Sequence, residues 1–130
     1  MANILVVDDE MGIRELLNEI LTDEGHTVYA AESAVQARTI REQMRPDLVL
    51  LDIEMPHMDG IECLKRLRLI SNVPVIIVSS VAQTGSPQAL ETRRLGAAEV
   101  IAKPSGAMSL DLNAKKGHEI VTASRKVLGI

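Results

Sequence analysis

The sequence predicts an α/β domain in which a parallel sheet carries helices on both faces. Three observations carry that reading. Five short runs of strand-forming residues alternate with five stretches of helical periodicity, the pattern of successive βαβ units. The central run, Leu48-Val49-Leu50-Leu51, is apolar without a break, as in a strand buried on both faces. That run leads straight into Asp52, and the first run leads into Asp8-Asp9-Glu10. Acidic residues thus fall at the carboxyl edge of the sheet, where open α/β folds bind ligands.

Taken in order, Ile4–Val7 is the first strand. Ile13, Leu16, Leu17, Ile20 and Leu21 recur at i, i+3, i+4, i+7 and i+8, the stripe of an amphipathic helix. Gly25 stands where a helix C-cap belongs. Thr27–Ala31 is the second strand, and Ala34–Met44 the second helix, with Ala37, Ile40 and Met44 inward. Pro46 stops it, and Asp47–Leu51 is the third strand. Gly60 precedes a third helix carrying Ile61, Leu64 and Leu67. Pro74 introduces the strand Val75–Val78, which ends in Ser79-Ser80. A polar loop, Gln83–Pro87, leads to a helix over about Gln88–Leu95, capped by Gly96. Glu99–Ala102 is the fifth strand, ending in Lys103-Pro104. A loop from Ser105 to roughly Lys116 precedes a last helix bearing Ile120, Val121, Val127 and Leu128. No repeat, low-complexity tract or linker interrupts the pattern, so one domain spans residues 1–130.

Bulk properties narrow the function. Hydrophobic and charged fractions of 46% and 25% are ordinary for a globular chain. Tyr29 is the only aromatic residue, so the core must be built from Val, Ile, Leu, Ala and Met. A net charge of −4 argues against a nucleic-acid surface, which normally shows a clustered basic excess. The single Cys63 excludes an internal disulfide and suits a reducing compartment. Met1–Val7 lacks the features of a signal peptide, and no apolar stretch approaches a membrane span. A soluble, cytoplasmic protein without a membrane partner is expected.

By itself, Asp52 also suits a turn or helix cap, and Asp8-Asp9-Glu10 suits an acidic N-cap favoured by the helix dipole. If the strand order is 2-1-3-4-5, as in some doubly wound folds, the first and third strands are neighbours. Asp8, Asp9 and Asp52 then share one edge, with Ser79 on the next strand and Lys103 one strand further. Carboxylates crowded in one cleft repel unless a cation occupies it or some of them protonate. Hard oxygen ligands of this kind suit Mg²⁺, completed by water and phosphate oxygen. A carboxylate nucleophile, a metal, a lysine and a hydroxyl together describe phosphoryl transfer onto an aspartate. His26, His57 and His118 show no metal-ligand spacing and read as surface residues, and Cys63 reads as helix packing.

The segments Val6-Val7-Asp8-Asp9-Glu10, Asp47 through Pro56, Met58-Asp59-Gly60, Val78-Ser79-Ser80 and Lys103-Pro104 give a further resemblance. On them the chain resembles a response-regulator receiver domain of two-component signalling over essentially its whole length. The resemblance implies a single doubly wound (βα)5 flavodoxin-like domain with a five-stranded parallel sheet of order 2-1-3-4-5. It implies a phosphorylation-operated switch rather than an enzyme acting on outside substrates. Asp52 would accept the phosphoryl group of a histidine kinase's phosphohistidine in a Mg²⁺-dependent reaction and lose it slowly by self-dephosphorylation. Asp9 and Asp52 would hold Mg²⁺ with the Glu54 main-chain carbonyl, and Asp8 partly through water. Ser79 and Lys103 would each engage a phosphoryl oxygen, and the Lys103–Pro104 bond would be cis. The output would be read by a downstream protein on the face of the fourth helix, fifth strand and fifth helix, from a monomer or a phosphorylation-dependent dimer.

Some positions depart from the family pattern. Val100 stands where many receivers carry Tyr or Phe, so the aromatic half of the usual switch is missing. Ser79 replaces a common Thr, and Glu54 adds a carboxylate two residues after Asp52. An aspartate-nucleophile phosphatase usually has Asp at that position. An interaction module that no longer switches is the other rival. Residues up to about Asp52 resemble nitrogen-regulatory receivers, whereas Ser79 to Gly106 resembles the receiver of a chemotaxis methylesterase. A stand-alone, an excised and a hybrid receiver all fit that division.

Overall fold

The computed structural model describes residues 2–53, 60–79, 87–102 and 110–130. Its elements run β1 (Asn3–Val7), α1 (Met11–Asp23), β2 (Thr27–Ala31), α2 (Ala34–Gln43) and β3 (Leu48–Leu51). They continue with α3 (Gly60–Ile70), β4 (Val75–Ser79), α4 (Pro87–Arg94), β5 (Glu99–Ala102) and α5 (Leu110–Leu128). The five strands form one sheet of order β2-β1-β3-β4-β5, with every pairing parallel. The expected doubly wound flavodoxin-like topology is therefore present.

Alternation along each strand divides the core between the two faces. Leu5, Val7, Val49, Leu51, Val75 and Ile77 belong to one cluster, with Ala37 of α2, Leu64 and Leu67 of α3 and Ala89 of α4. Ile4, Val6, Leu48, Leu50, Ile76 and Val78 point the other way, against Ile13, Leu17 and Leu21 of α1 and Ile120 of α5. Because both faces are covered, the β3 run carries no polar residue. Among the described residues the buried core is Val, Ile, Leu and Ala, with no methionine. Met44 is half-buried at the end of α2, and Met11 is exposed. Among those residues no helix is long and apolar enough to cross a membrane.

Helix boundaries follow local chemistry. Ser33 caps α2, its hydroxyl accepting the Gln36 N–H at 3.1 Å. Gly25 ends α1 at φ +89° and Gly96 ends α4 at φ +99°. In α1, Gly25 N–H donates to Thr22 O and His26 N–H to Leu21 O. In α4, Gly96 N–H donates to Arg93 O and Ala97 N–H to Thr92 O. Both helices therefore close with the same Schellman pairing.

Two expectations need correction. The last helix begins at Leu110 rather than near Lys116; Gly117 lies within it, since one interior glycine costs only about 1 kcal/mol. His26 is buried at 7% exposure, not at the surface, because its Nδ1 accepts the Ala2 N–H at 3.2 Å. Of the methionines, only Met11 and Met44 lie among the described residues, and neither belongs to the buried core there. Of the expected polar loop over Gln83–Pro87, Pro87 opens α4 and the remainder lies outside the described residues.

Candidate functional site at the carboxyl edge of the sheet

The register of β1 and β3 builds the site. Val7 lies opposite Leu51, so the next residues, Asp8 and Asp52, leave neighbouring strands at the same level. Both remain tied to the sheet: Asp8 N–H donates to Ala31 O at 3.0 Å and Asp52 N–H to Val7 O at 2.9 Å. Each is only 1% exposed. Two carboxylates held out of water in one region favour a cation or charged partner nearby.

Asp9 and Glu10 are exposed beside them. The Glu10 N–H donates to Asp8 Oδ1 at 2.8 Å, which fixes the Asp8 carboxylate. Arg14, one turn into α1, donates from Nη1 to the Asp8 carbonyl at 2.8 Å and secures the β1–α1 turn. Glu10 occupies the N-cap position of α1, but its side chain makes no capping hydrogen bond. Asp8, Asp9 and Glu10 each offer a carboxylate oxygen, and these lie within 4.8 Å of one another. Trans ligands in a Mg²⁺ octahedron with bonds of about 2.1 Å are about 4.2 Å apart. Hard, anionic oxygens are the donor type that ion prefers.

Of the residues singled out from sequence, Asp8, Asp9 and Asp52 lie at this edge, at the ends of neighbouring strands. Ser79 ends β4 opposite Ala102, the last residue of β5, and only its backbone is described. Glu54, Lys103 and the Lys103–Pro104 bond lie outside the described residues. From sequence Glu10 was read only as part of an acidic N-cap run, and Arg14 was given no role. The signal for Glu10 was its carboxylate next to Asp9; that for Arg14 was one helical turn of spacing from the acidic run.

Comparison with known proteins supplies the family. Residues 4–115 match the model of the response regulator receiver domain. The sporulation initiation phosphotransferase F of Bacillus subtilis is 47% identical over 102 residues, which are 78% of this chain and 81% of that protein. A protein-glutamate methylesterase/protein-glutamine glutaminase of Bacillus licheniformis is 38% identical over 130 residues. That alignment takes in 96% of this chain but 36% of the relative, so the chain spans about a third of the methylesterase's length. In structure, the response regulator domain of Thermotoga maritima CheB superposes with a TM-score of 0.83 at 32% identity, covering 98% of this chain and 96% of that one. The chain belongs to the response regulator receiver domain family.

Proposed function

We propose that the chain is a phosphorylation-operated signalling switch whose Asp52 accepts a phosphoryl group from a histidine kinase in a Mg²⁺-dependent reaction. The observation that supports it most is the pairing of Val7 with Leu51, which brings two buried aspartates to one edge beside the exposed Asp9. In this reading an Asp52 carboxylate oxygen attacks the phosphorus of the kinase's phosphohistidine. The P–N bond breaks, its electron pair stays on the imidazole nitrogen, and an acyl phosphate forms on Asp52. Asp9, Asp52 and the Glu54 carbonyl would hold Mg²⁺, and Asp8 would join through water. The bound ion supplies positive charge that offsets the repulsion between the carboxylates and the incoming phosphoryl oxygens. Ser79 donates its hydroxyl to one phosphoryl oxygen, and Lys103 pairs with another. Slow attack by water on the acyl phosphate resets the switch.

The output is a redistribution between two conformations, read by a protein partner on the α4-β5-α5 face. Val100 is half-buried on β5 and packs against the cluster beneath α2, α3 and α4. An aliphatic side chain there has no ring to swing, so the population shift uses backbone and helix movement.

Intact mass after incubation with a small-molecule phosphodonor tests the chemistry. A Mg²⁺-dependent gain of one phosphoryl group is expected, and Asp52→Asn should abolish it. No gain in the wild type under any condition would leave a non-switching interaction module as the better account.

A further inference from the structure

A concavity lies between α2 and α3 on the face of β1 and β3. Its floor is Leu5, Val7 and Val49, all core residues of the sheet. Ala34 and Ala37 form the α2 wall, Cys63 and Leu67 the α3 wall. The alanines explain the space, since any larger side chain there would fill it. The cavity measures about 70 Å³. One water requires only about 10–15 Å³ on the same measure, so a short apolar chain fits.

The rim is unlike the floor. Arg38 and Arg41 approach it from α2 and Arg66 from α3. Three arginine side chains thus contribute to the wall of an apolar hole in a chain whose net charge is −4. Glu62 lies 3.5 Å from Arg66 Nε, one turn away on α3 and half exposed. Among the described residues no carboxylate reaches ion-pair distance of Arg38 or Arg41. The Cys63 thiol reports the same convergence. Burial raises its pKa, while Arg38 and Arg66, from opposite walls, pull it the other way.

We propose that this crevice binds a small apolar carboxylate, with its hydrocarbon end on Leu5, Val7 and Val49 and its carboxylate among Arg38, Arg41 and Arg66. An apolar pocket with few convergent polar groups is the usual form of a small-molecule site. Guanidinium forks match a carboxylate through paired N–H donors. The site stands on its own residues and does not depend on phosphorylation of Asp52.

The test is an amide chemical-shift titration of the whole chain with hexanoate, hexan-1-ol and hexylammonium. Hexanoate should give saturable shifts centred on Val7, Ala37, Val49, Cys63 and Leu67. Hexan-1-ol should bind about tenfold more weakly, as expected for loss of a charge-assisted contact, and hexylammonium more weakly still. Arg38→Gln combined with Arg66→Gln alters two exposed positions and should bring hexanoate down to the affinity of the alcohol. Hexanoate should also slow alkylation of Cys63, the only thiol in the chain. Absence of saturable shifts, shifts centred elsewhere, or equal affinity for hexanoate and hexan-1-ol would each overturn the proposal.

Discussion

His26 is buried because its ring takes the place of a strand partner, accepting the Ala2 N–H just ahead of β1. Its backbone also closes α1, donating to Leu21 O, and the next residue, Thr27, donates to Ala2 O. One histidine therefore joins the end of α1 to the start of the sheet. His26→Ala leaves a buried N–H without its acceptor and should cost about 1–3 kcal/mol, measured by urea unfolding. No sequence pattern announced this, because a histidine just after a cap glycine looks like any turn residue. Cys63 is the converse case: helix packing was legible from sequence, the arginines around it were not. Its thiol pKa lies above the ordinary 9.0, chiefly through burial, against the opposing pull of Arg38 and Arg66. Below that ordinary value the thiol is neutral folded or unfolded. As pH rises past it, the unfolded chain gives up its proton first, so the folded state loses stability. Alkylation of Cys63 by iodoacetamide should be slower than that of a free cysteine at neutral pH, and its rate should still climb above pH 9.0. A rate that levels off below the ordinary value would contradict the burial.

Among the elements, three glycines in helices or at their ends separate conformation from space. Gly25 and Gly96 take positive φ at the C-termini of α1 and α4. An added Cβ at Gly96 would meet only Arg68 Cδ at an ordinary 3.7 Å. The obstacle there is thus the backbone, and Gly96→Ala should cost about 1–2 kcal/mol. Gly12 sits within the first turn of α1, and nothing lies within 4 Å of its missing Cβ. Gly12→Ala should therefore stabilise the fold by about 0.5–1 kcal/mol; paired urea titrations would show the opposite signs. Gly25 was legible because it follows the apolar stripe of α1, and Gly96 because it ends the short helical stretch after the polar loop. β2 and β5 fall on the bounds read from the sequence, while β3 starts one residue later, at Leu48. Asp47 nonetheless keeps the ladder, donating its N–H to Asn3 O and accepting the Asn3 N–H on Oδ2. The start of α5 was not legible, since Asn113, Gly117 and the alternating polar residues before it weaken its periodicity.

For the whole molecule, alternation of strands and helices predicted the parallel sheet, but no property of a single strand says which strand lies beside it. The order β2-β1-β3-β4-β5 was reached by resemblance, and only the register of Val7 with Leu51 gives Asp8 and Asp52 a common edge. A site assembled from separate strands in this way should couple ligand binding to global stability. An ion held by the folded edge and not by the unfolded chain stabilises by about 2.7 kcal/mol at a hundredfold excess over its Kd. Mg²⁺ should accordingly raise the urea midpoint of the wild type in proportion to the logarithm of its concentration, once the site is near saturation. Asp9 is exposed, so Asp9→Ala should change the metal-free stability by no more than about 0.5 kcal/mol, yet remove most of the gain from Mg²⁺. Because both arms are read by one unfolding curve, a variant that merely misfolds shows itself as a lowered metal-free midpoint. A full Mg²⁺ gain retained in Asp9→Ala would instead move the ion away from Asp9, toward Asp8 and Glu10.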